Sequence, residues 1–303
     1  MKVLVTGGSG FLGRRLKLYN PDWIYVSSKD CDLIDPSSVG DFFEKIKPAA
    51  IVHLAARVGG IKENIENQAL FYYQNTMINT NVLQFAYKTG VKRVLSALST
   101  CAYPDRLDRY PFKEEDLFQG APAETNFAYG ISKRGLHAQS CAYRKQYGLN
   151  YSTFCPSNIY GPEDNFDYNS SHFVPAMVRK FYEASDGDVL EFWGTGEALR
   201  QEIYVDDLAK IIPTLLEKHH SGVPVIASPH ENFSILEMIN ILRSQLNKDI
   251  QIKFNNELDG QFRKDGSNKY LLNLIDKFEF TPFAKGIKKT YEWYKENRGV
   301  NDE

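Results

Sequence analysis

Lys2-Val-Leu-Val-Thr-Gly-Gly-Ser-Gly-Phe-Leu-Gly13 decides how this chain folds. Its first half reads as a buried strand around the apolar Val3-Leu-Val5, and its second half places Gly7, Gly10 and Gly13 at three-residue spacing ahead of a helical pattern. Glycine at these places permits a tight turn, lets main chain approach a pyrophosphate, and lets the helix pack on the strand, its N-terminus favouring an anion. A glycine-rich turn alone is also what an ordinary strand-to-helix loop looks like. Behind a strand that opens the sequence, it stands where a dinucleotide-binding fold carries it. The turn, with Ser9 and Phe11, is therefore expected to hold a dinucleotide.

Downstream, strands expected over residues 23–26, 49–56, 93–98 and 151–155 alternate with helices expected over 70–89 and 126–147, the order of a doubly wound parallel sheet, a Rossmann architecture. Ala55 and Ala56 end the third strand with small side chains where a cofactor would lie, and Pro156 ends the fifth. After Gly161-Pro162 the pattern changes to loops and short helices, and Ile203-Tyr-Val-Asp-Asp207 returns to the sheet. The expected division is a nucleotide-binding domain over 1–165 plus about 202–228. A smaller, discontinuous α/β substrate lobe takes about 166–201 plus 229–303, including a polar loop over 259–266.

The end of the second strand bears on which nicotinamide cofactor fits, because an acidic residue there accepts from a free ribose 2′-hydroxyl and repels a 2′-phosphate. Ser27-Ser28-Lys29 suits a phosphate and points to NADPH over NADH, with Arg14 or Arg15 available for further positive charge. Asp30 and Asp32 lie close enough to argue the other way, and Lys29 also reads as a solvated loop lysine.

Thirty-six basic against 38 acidic residues leave a formal charge of −2, so no global field steers the chain to nucleic acid or membrane. No apolar run reaches the length of a membrane span, and Met1 precedes a core strand directly; the expected location is the cytosol. Cys31, Cys101, Cys141 and Cys155 show no C-x-x-C spacing, so no metal site is expected. Cys141 in a helix and Cys155 in a strand read as small buried thiols.

The chemistry lies in three places. Reducing a ketone needs a hydride at carbon and a proton at oxygen, and tyrosine is a poor acid at its ordinary pKa of about 10. A cation one helical turn away lowers it, and Tyr129 and Lys133 stand four residues apart on an expected helix. Ser99 follows the preceding strand, placed to hold the carbonyl oxygen. Tyr-x-x-x-Lys by itself also describes a surface pair; the order glycine turn, Ser after a strand, then Tyr-x-x-x-Lys carries the assignment.

With these residues the chain resembles the extended short-chain dehydrogenase/reductase family, and within it the GDP-L-fucose synthase branch. The resemblance covers nearly the whole chain, through His53-Leu-Ala-Ala-Arg-Val-Gly-Gly-Ile61, Ser99-Thr-Cys-Ala-Tyr-Pro104, Thr125-Asn126, Tyr160-Gly-Pro-Glu-Asp-Asn-Phe166, Ser171-His172 and Tyr204-Val-Asp-Asp207. It implies a bifunctional enzyme that inverts C3 and C5 of a GDP-linked 4-keto-6-deoxy sugar and reduces C4 with NADPH. It also implies Cys101 as base and His172 as acid, with His172 touching the cofactor as well. The bland alternatives are a small residue after a strand for Cys101 and a capping or solvent-facing residue for His172. Asn158, Phe173, Lys180, Trp193 and Arg200 are implied for the nucleotide sugar. Lys180 replaces an arginine of the family, so a clamp there is monodentate, and Gln201-Glu202 replaces a Glu-Phe pair. These departures leave room for a GDP-4-keto heptose or dideoxyhexose, as in capsule or O-antigen synthesis, and for reduction without epimerisation. The family pairs the helices at about 70–89 and 126–147 between two subunits. Their apolar faces fit a homodimer, and also a monomer core.

Overall fold

Val3–Thr6 (β1) is buried at all four positions and runs directly into the glycine turn. The computed structural model describes residues 1–168, 170–256 and 260–297. Asp259 of the polar loop and residues 298–303 of the expected second lobe lie outside the described residues.

From β1 the chain passes through Phe11–Tyr19 (α1), Ile24–Val26 (β2), Pro36–Ile46 (α2), Ala50–His53 (β3), Ile61–Glu66 (α3), Gln68–Lys88 (α4) and Arg93–Ala97 (β4). Phe127–Tyr147 (α5) and Asn150–Pro156 (β5) follow. Next come Asn158–Tyr160 (β6), Phe173–Glu183 (α6), Val189–Phe192 (β7), Leu199–Arg200 (β8), Glu202–Tyr204 (β9) and Val205–Lys218 (α7). Val225–Ala227 (β10), Phe233–Ser234 (β11), Ile235–Arg243 (α8), Gln251–Phe254 (β12), Lys269–Leu274 (α9) and Phe283–Asn297 (α10) complete it.

Six strands form one parallel sheet in the order β2-β1-β3-β4-β5-β10. Alternate side chains supply its two faces, as strand geometry requires. Leu4, Ile51, Val94 and Tyr151 pack with Val39 and Phe43 of α2, Val82 and Leu83 of α4, and Leu136 of α5. Val5, Val52, Leu95 and Phe154 pack on the other side with Leu16 of α1 and Leu208, Ile212 and Leu215 of α7. A third core, with Phe181 of α6, Phe192 of β7, Ile239 of α8 and Ile287 of α10, lies outside the sheet.

From β1 the chain crosses to β2 on one side and then to β3 on the other, so connections diverge at the C-terminal ends of β1 and β3, where open α/β sheets bind ligands. The third strand is shorter than the expected 49–56, because the chain leaves the sheet after His53 to line this crevice. The approach there is close: a Cβ at Gly7, whose φ is +73°, would sit 2.8 Å from the Ala55 nitrogen. The return expected at 203–207 also differs. Glu202–Tyr204 pairs with β6 in a separate two-stranded sheet, and helix α7, starting at Val205, packs on the main sheet. Asp206 and Asp207 occupy the first turn of α7, where carboxylates suit the helix dipole.

A Cβ at Gly13 would lie 2.3 Å from the Gly7 carbonyl oxygen, with backbone on both sides of the clash. Gly13→Ala is expected to cost about 1–3 kcal/mol, the usual range for overpacking, read as a lowered denaturant midpoint; an unchanged midpoint would mean that α1 and β1 are less tightly apposed.

Candidate active site

Lys133 is buried on α5, and its Nζ donates to the Ala97 carbonyl at 2.8 Å, the last residue of β4. This bond fixes the helix that carries Tyr129 against the strand end that leads into Ser99. Ser99 caps the short 3₁₀ turn Thr100–Ala102, its Oγ accepting from the Cys101 N–H at 3.2 Å. The Ser99 hydroxyl also hydrogen-bonds Tyr129, favouring the phenolate, but burial outweighs it and holds the phenol above its ordinary value. The expected lowering of Tyr129 by Lys133 is not what the structure shows. The ammonium, 5.8 Å from the ring centroid, points to Ala97, and burial drives Lys133 itself down to about 8.

Cys101 Sγ faces two donors, Asn126 Nδ2 at 3.1 Å and Lys264 Nζ at 3.7 Å. His172 is the N-cap residue of α6, solvent-accessible yet ringed by protein; burial and then the charge of Lys264 depress its pKa. Lys264 thus links the two groups. It comes from the polar loop, and no periodicity or motif marks it, so sequence reasoning missed it.

Two buried groups take roles that the sequence does not show, His53 and Glu202, the latter visible there only as a departure from the family pair. His53 bridges Thr6 Oγ1 at 2.7 Å and Asn79 Oδ1 at 3.1 Å, while Asn79 Nδ2 reaches the Ser132 carbonyl at 3.4 Å. Because Asn79 presents its oxygen, His53 Nε2 donates and Nδ1 accepts. Burial and Lys133 push this histidine down to about 3, so it is neutral and ties β1 and β3 to α4 and α5. Glu202, buried on β9, accepts from Asn158 Nδ2 at 3.0 Å; burial pushes it up to about 7, against the pull of Asn158, Arg200 and Lys264.

The glycine turn fits a dinucleotide on its own geometry. A Cβ at Gly10 would meet only the Gly7 oxygen, at 3.2 Å, so the missing side chain leaves open space above the turn. Gly10 is the N-cap of α1, which has neither a side-chain cap nor an acidic residue in its first turn, so its N–H groups suit an anion. Phe11, Ala55 and Ala56 are half-buried around this turn, Ser9 is exposed, and Pro156 is buried at the end of β5. At the end of β2, Ser28 and Lys29 are exposed, but Ser27 is taken by Asp30, which receives both its Oγ at 2.6 Å and its N–H at 2.8 Å.

Arg15 is turned away from there: it reaches Glu163 at 2.8 Å and Asp206 at 2.8 Å, between α1, the 161–165 loop and α7. Arg14 stays at the glycine turn, its Nη1 donating to the Ser9 carbonyl at 2.6 Å while its Nε lies 3.2 Å from Glu163. The five nucleotide-sugar residues fall into two groups. Asn158 and Arg200 gather around Glu202. Phe173 and Lys180 gather at Phe192, with ring centroids 6.2 Å apart and Lys180 Nζ 5.1 Å from the ring; Lys180 donates to the Glu191 carbonyl at 2.6 Å. Trp193, next in sequence to Phe192, is 69 % exposed, an open stacking face.

A sequence profile described as "NAD dependent epimerase/dehydratase family" matches residues 3–227. The chain belongs to that family. Within it, the chain stands on the GDP-L-fucose synthase branch. It is 36 % identical to GDP-L-fucose synthase of Dictyostelium discoideum over 306 residues, 97 % of this chain and 95 % of that one. It is 30 % identical to GDP-L-fucose synthase of Escherichia coli K12, across 98 % and 97 % of the two chains. The crystal structure of a GDP-L-fucose synthetase from Naegleria fowleri bound to NADP superposes with a TM-score of 0.91 at 32 % identity, covering 99 % of this chain and 94 % of that one.

Glu202 offers a test of the site's electrostatics. Its folded-state pKa, about 7, lies above the ordinary carboxylate range, so its ionisation penalises the fold progressively as pH rises from about 4.5 to 7, and constantly above. Glu202→Gln keeps an acceptor for Asn158 and removes the penalty. Its stability gain over the parent should be absent near pH 4 and grow to a plateau above pH 7, on the order of 3 kcal/mol at most. A gain independent of pH in thermal melts would mean that Glu202 is ionised without cost.

Proposed function

We propose that this chain is a bifunctional GDP-4-keto-6-deoxy-sugar 3,5-epimerase and NADPH-dependent C4 reductase, as in GDP-L-fucose synthesis. The observation that carries the reading is the convergence of Ser99, Tyr129 and Cys101 at one strand end, with Lys264 tying Cys101 to His172.

C3 and C5 flank the ketone, so removing either proton gives an enolate whose oxygen needs hydrogen-bond donors. Ser99 Oγ and the Tyr129 phenol supply them. Cys101, as thiolate, takes the proton, and the C–H electron pair passes into the enolate. His172, as imidazolium, returns a proton to the opposite face, which inverts the carbon. Cys101 is then a thiol and His172 neutral, and exchange with water resets both. Reduction follows at the same oxygen. The hydride for C4 comes from the nicotinamide when it is bound. Tyr129 gives its proton to the oxygen, and its burial keeps the phenol protonated, the form that this direction requires.

For the cofactor, Gly7, Ser9, Gly10, Phe11 and Gly13 would take the pyrophosphate, with Ala55, Ala56 and Pro156 along the crevice and Lys133 and His172 towards the nicotinamide end. Ser28 and Lys29 suit the 2′-phosphate of NADPH, while Ser27 acts through Asp30. Trp193, Phe173, Lys180, Arg200 and Asn158 would take the GDP moiety and the sugar. Glu202, where the family has phenylalanine, favours a second reading. A buried carboxylate at Asn158 changes what the sugar end meets, and a GDP-4-keto heptose or dideoxyhexose would use it. Such a product feeds polysaccharide synthesis, and a cytosolic location suits it; no described helix is long and apolar enough to cross a membrane. The nucleotide-binding and sugar-binding lobes divide near residues 165, 202 and 228.

A homodimer through α4 and α5 fits the side chains they expose: Tyr72 at 47 %, Tyr73 at 55 %, Phe127 at 43 % and Tyr147 at 42 %. Light scattering at twice the 34.6 kDa chain mass is the expected result.

In heavy water, product formed from the 4-keto sugar should carry deuterium at both C3 and C5. Cys101→Ala should abolish that labelling, by 10²-fold or more, yet still reduce a substrate already inverted. Normal NADPH oxidation with unlabelled C3 and C5 would reduce the activity to a plain 4-ketoreductase.

A further inference from the structure

Lys264 sits in a loop that is held from both sides. Arg263 forms a two-point pair with the buried Asp265, at 2.6 and 3.0 Å. The Asp265 carbonyl accepts from Phe112 N–H at 2.9 Å, and the Phe112 carbonyl accepts from Ser267 N–H at 2.7 Å. Gln201 closes the clamp with its amide, accepting from Gly266 N–H at 2.8 Å and donating to the Gly266 carbonyl at 3.3 Å. Gln201 is one of the two residues that depart from the family pair. On the other side the Phe262 carbonyl accepts from Leu199 N–H of β8 at 2.9 Å, so the backbone is fixed both before and after Lys264. A flexible lysine stem thus starts from a fixed base, and its ammonium lies 3.7 Å from Cys101 Sγ.

The groups that face Cys101 are the Tyr129 phenol from α5, the Cys155 thiol from β5, the Asn126 amide and Lys264. Tyr129 and Cys155 are both raised by burial and carry no charge near neutral pH. The charge among these neighbours is the ammonium, and a cation within about 4–6 Å favours a charged acid by roughly one to three pH units. The same ammonium faces His172 on α6 and Glu202 on β9.

We propose that Lys264 is a positioning residue for epimerisation, its ammonium pairing with the Cys101 thiolate beside the substrate ketone. The proposal rests on the reading of Cys101 and His172 as the inverting pair. One cation then acts on both members: its ammonium stands 3.7 Å from the Cys101 sulfur, where it pairs with a thiolate, and its charge resists a proton on His172. Removing it should make both groups keep their protons to higher pH, and the whole profile should move upward without separation of its limbs. A lysine that only binds substrate phosphate would raise KM for epimerisation and reduction alike and leave the profile in place.

The test is the rate of iodoacetamide alkylation at Cys101, followed by peptide mass spectrometry across pH on the full-length enzyme, for wild type, Lys264→Gln and Lys264→Arg. The expected result is a midpoint about one pH unit higher in Lys264→Gln, a roughly tenfold slower reaction below it, and restoration in Lys264→Arg. The pH profile of solvent-deuterium uptake should move in step. Lys264→Met, which keeps the stem and loses the charge, replaces Lys264→Gln if that variant is unstable. Superimposable alkylation profiles for the wild type and the uncharged variant would overturn the proposal. Wild-type enzyme with no deuterium uptake would instead overturn the epimerase reading, since alkylation needs no substrate.

Discussion

The hydrogen bond from the buried Lys133 ammonium to the Ala97 carbonyl, 2.8 Å long, is the constraint on which the site depends. It joins helix α5 to the end of β4, and those two places carry Tyr129 and Ser99. Burying an ammonium is costly unless it is bonded, which is why its pKa falls to about 8. The neutral His53, bonded to Thr6 and Asn79, braces the same helix from the other side through Ser132. Tyr129 and Ser99 are thereby placed by the sheet, while Lys264 reaches the site from a loop.

Charge arrives from later in the chain. Lys264 reaches the Cys101 sulfur at 3.7 Å, and its charge acts together with Arg200 on the buried Glu202 of β9. On the proposed reading, the groups for reduction, Ser99, Tyr129 and Lys133, follow from the sheet and α5, whereas the inverting pair joins Cys101 after β4 to His172 at the start of α6. On that reading, loss of Cys101 or His172 would leave the Ser99–Tyr129–Lys133 set intact.

Most of the fold was legible in the sequence, because apolar runs at strand period and the Gly7-to-Gly13 turn each allow few structures. Ends of elements were less so. The third strand stops at His53 although apolar residues continue, since the crevice beside Gly7 takes the chain out of the sheet. That Ser99, Tyr129 and Lys133 lie together was legible from spacing, as neighbours on a strand end and a helix must be close. Cys101 and His172 came from resemblance. Lys264, the burial of Glu202 against Asn158 and the bridging role of His53 were not legible, for they arise from contacts between residues 44 to 163 positions apart, or 26 to 47 for His53. Arg15 reads as a free charge because sequence does not show the carboxylates of Glu163 and Asp206 that it pairs with.

The central claim is that one oxyanion site, Ser99 with Tyr129, serves both the enolate and the ketone under reduction. The most direct measurement compares Tyr129→Phe with the wild type in two assays: solvent-deuterium exchange at C3 and C5 with oxidised cofactor, where no hydride is available, and reduction of an already inverted 4-keto sugar. A shared site predicts that both rates fall together, by about 10²-fold or more. Exchange at the wild-type rate alongside lost reduction would contradict it.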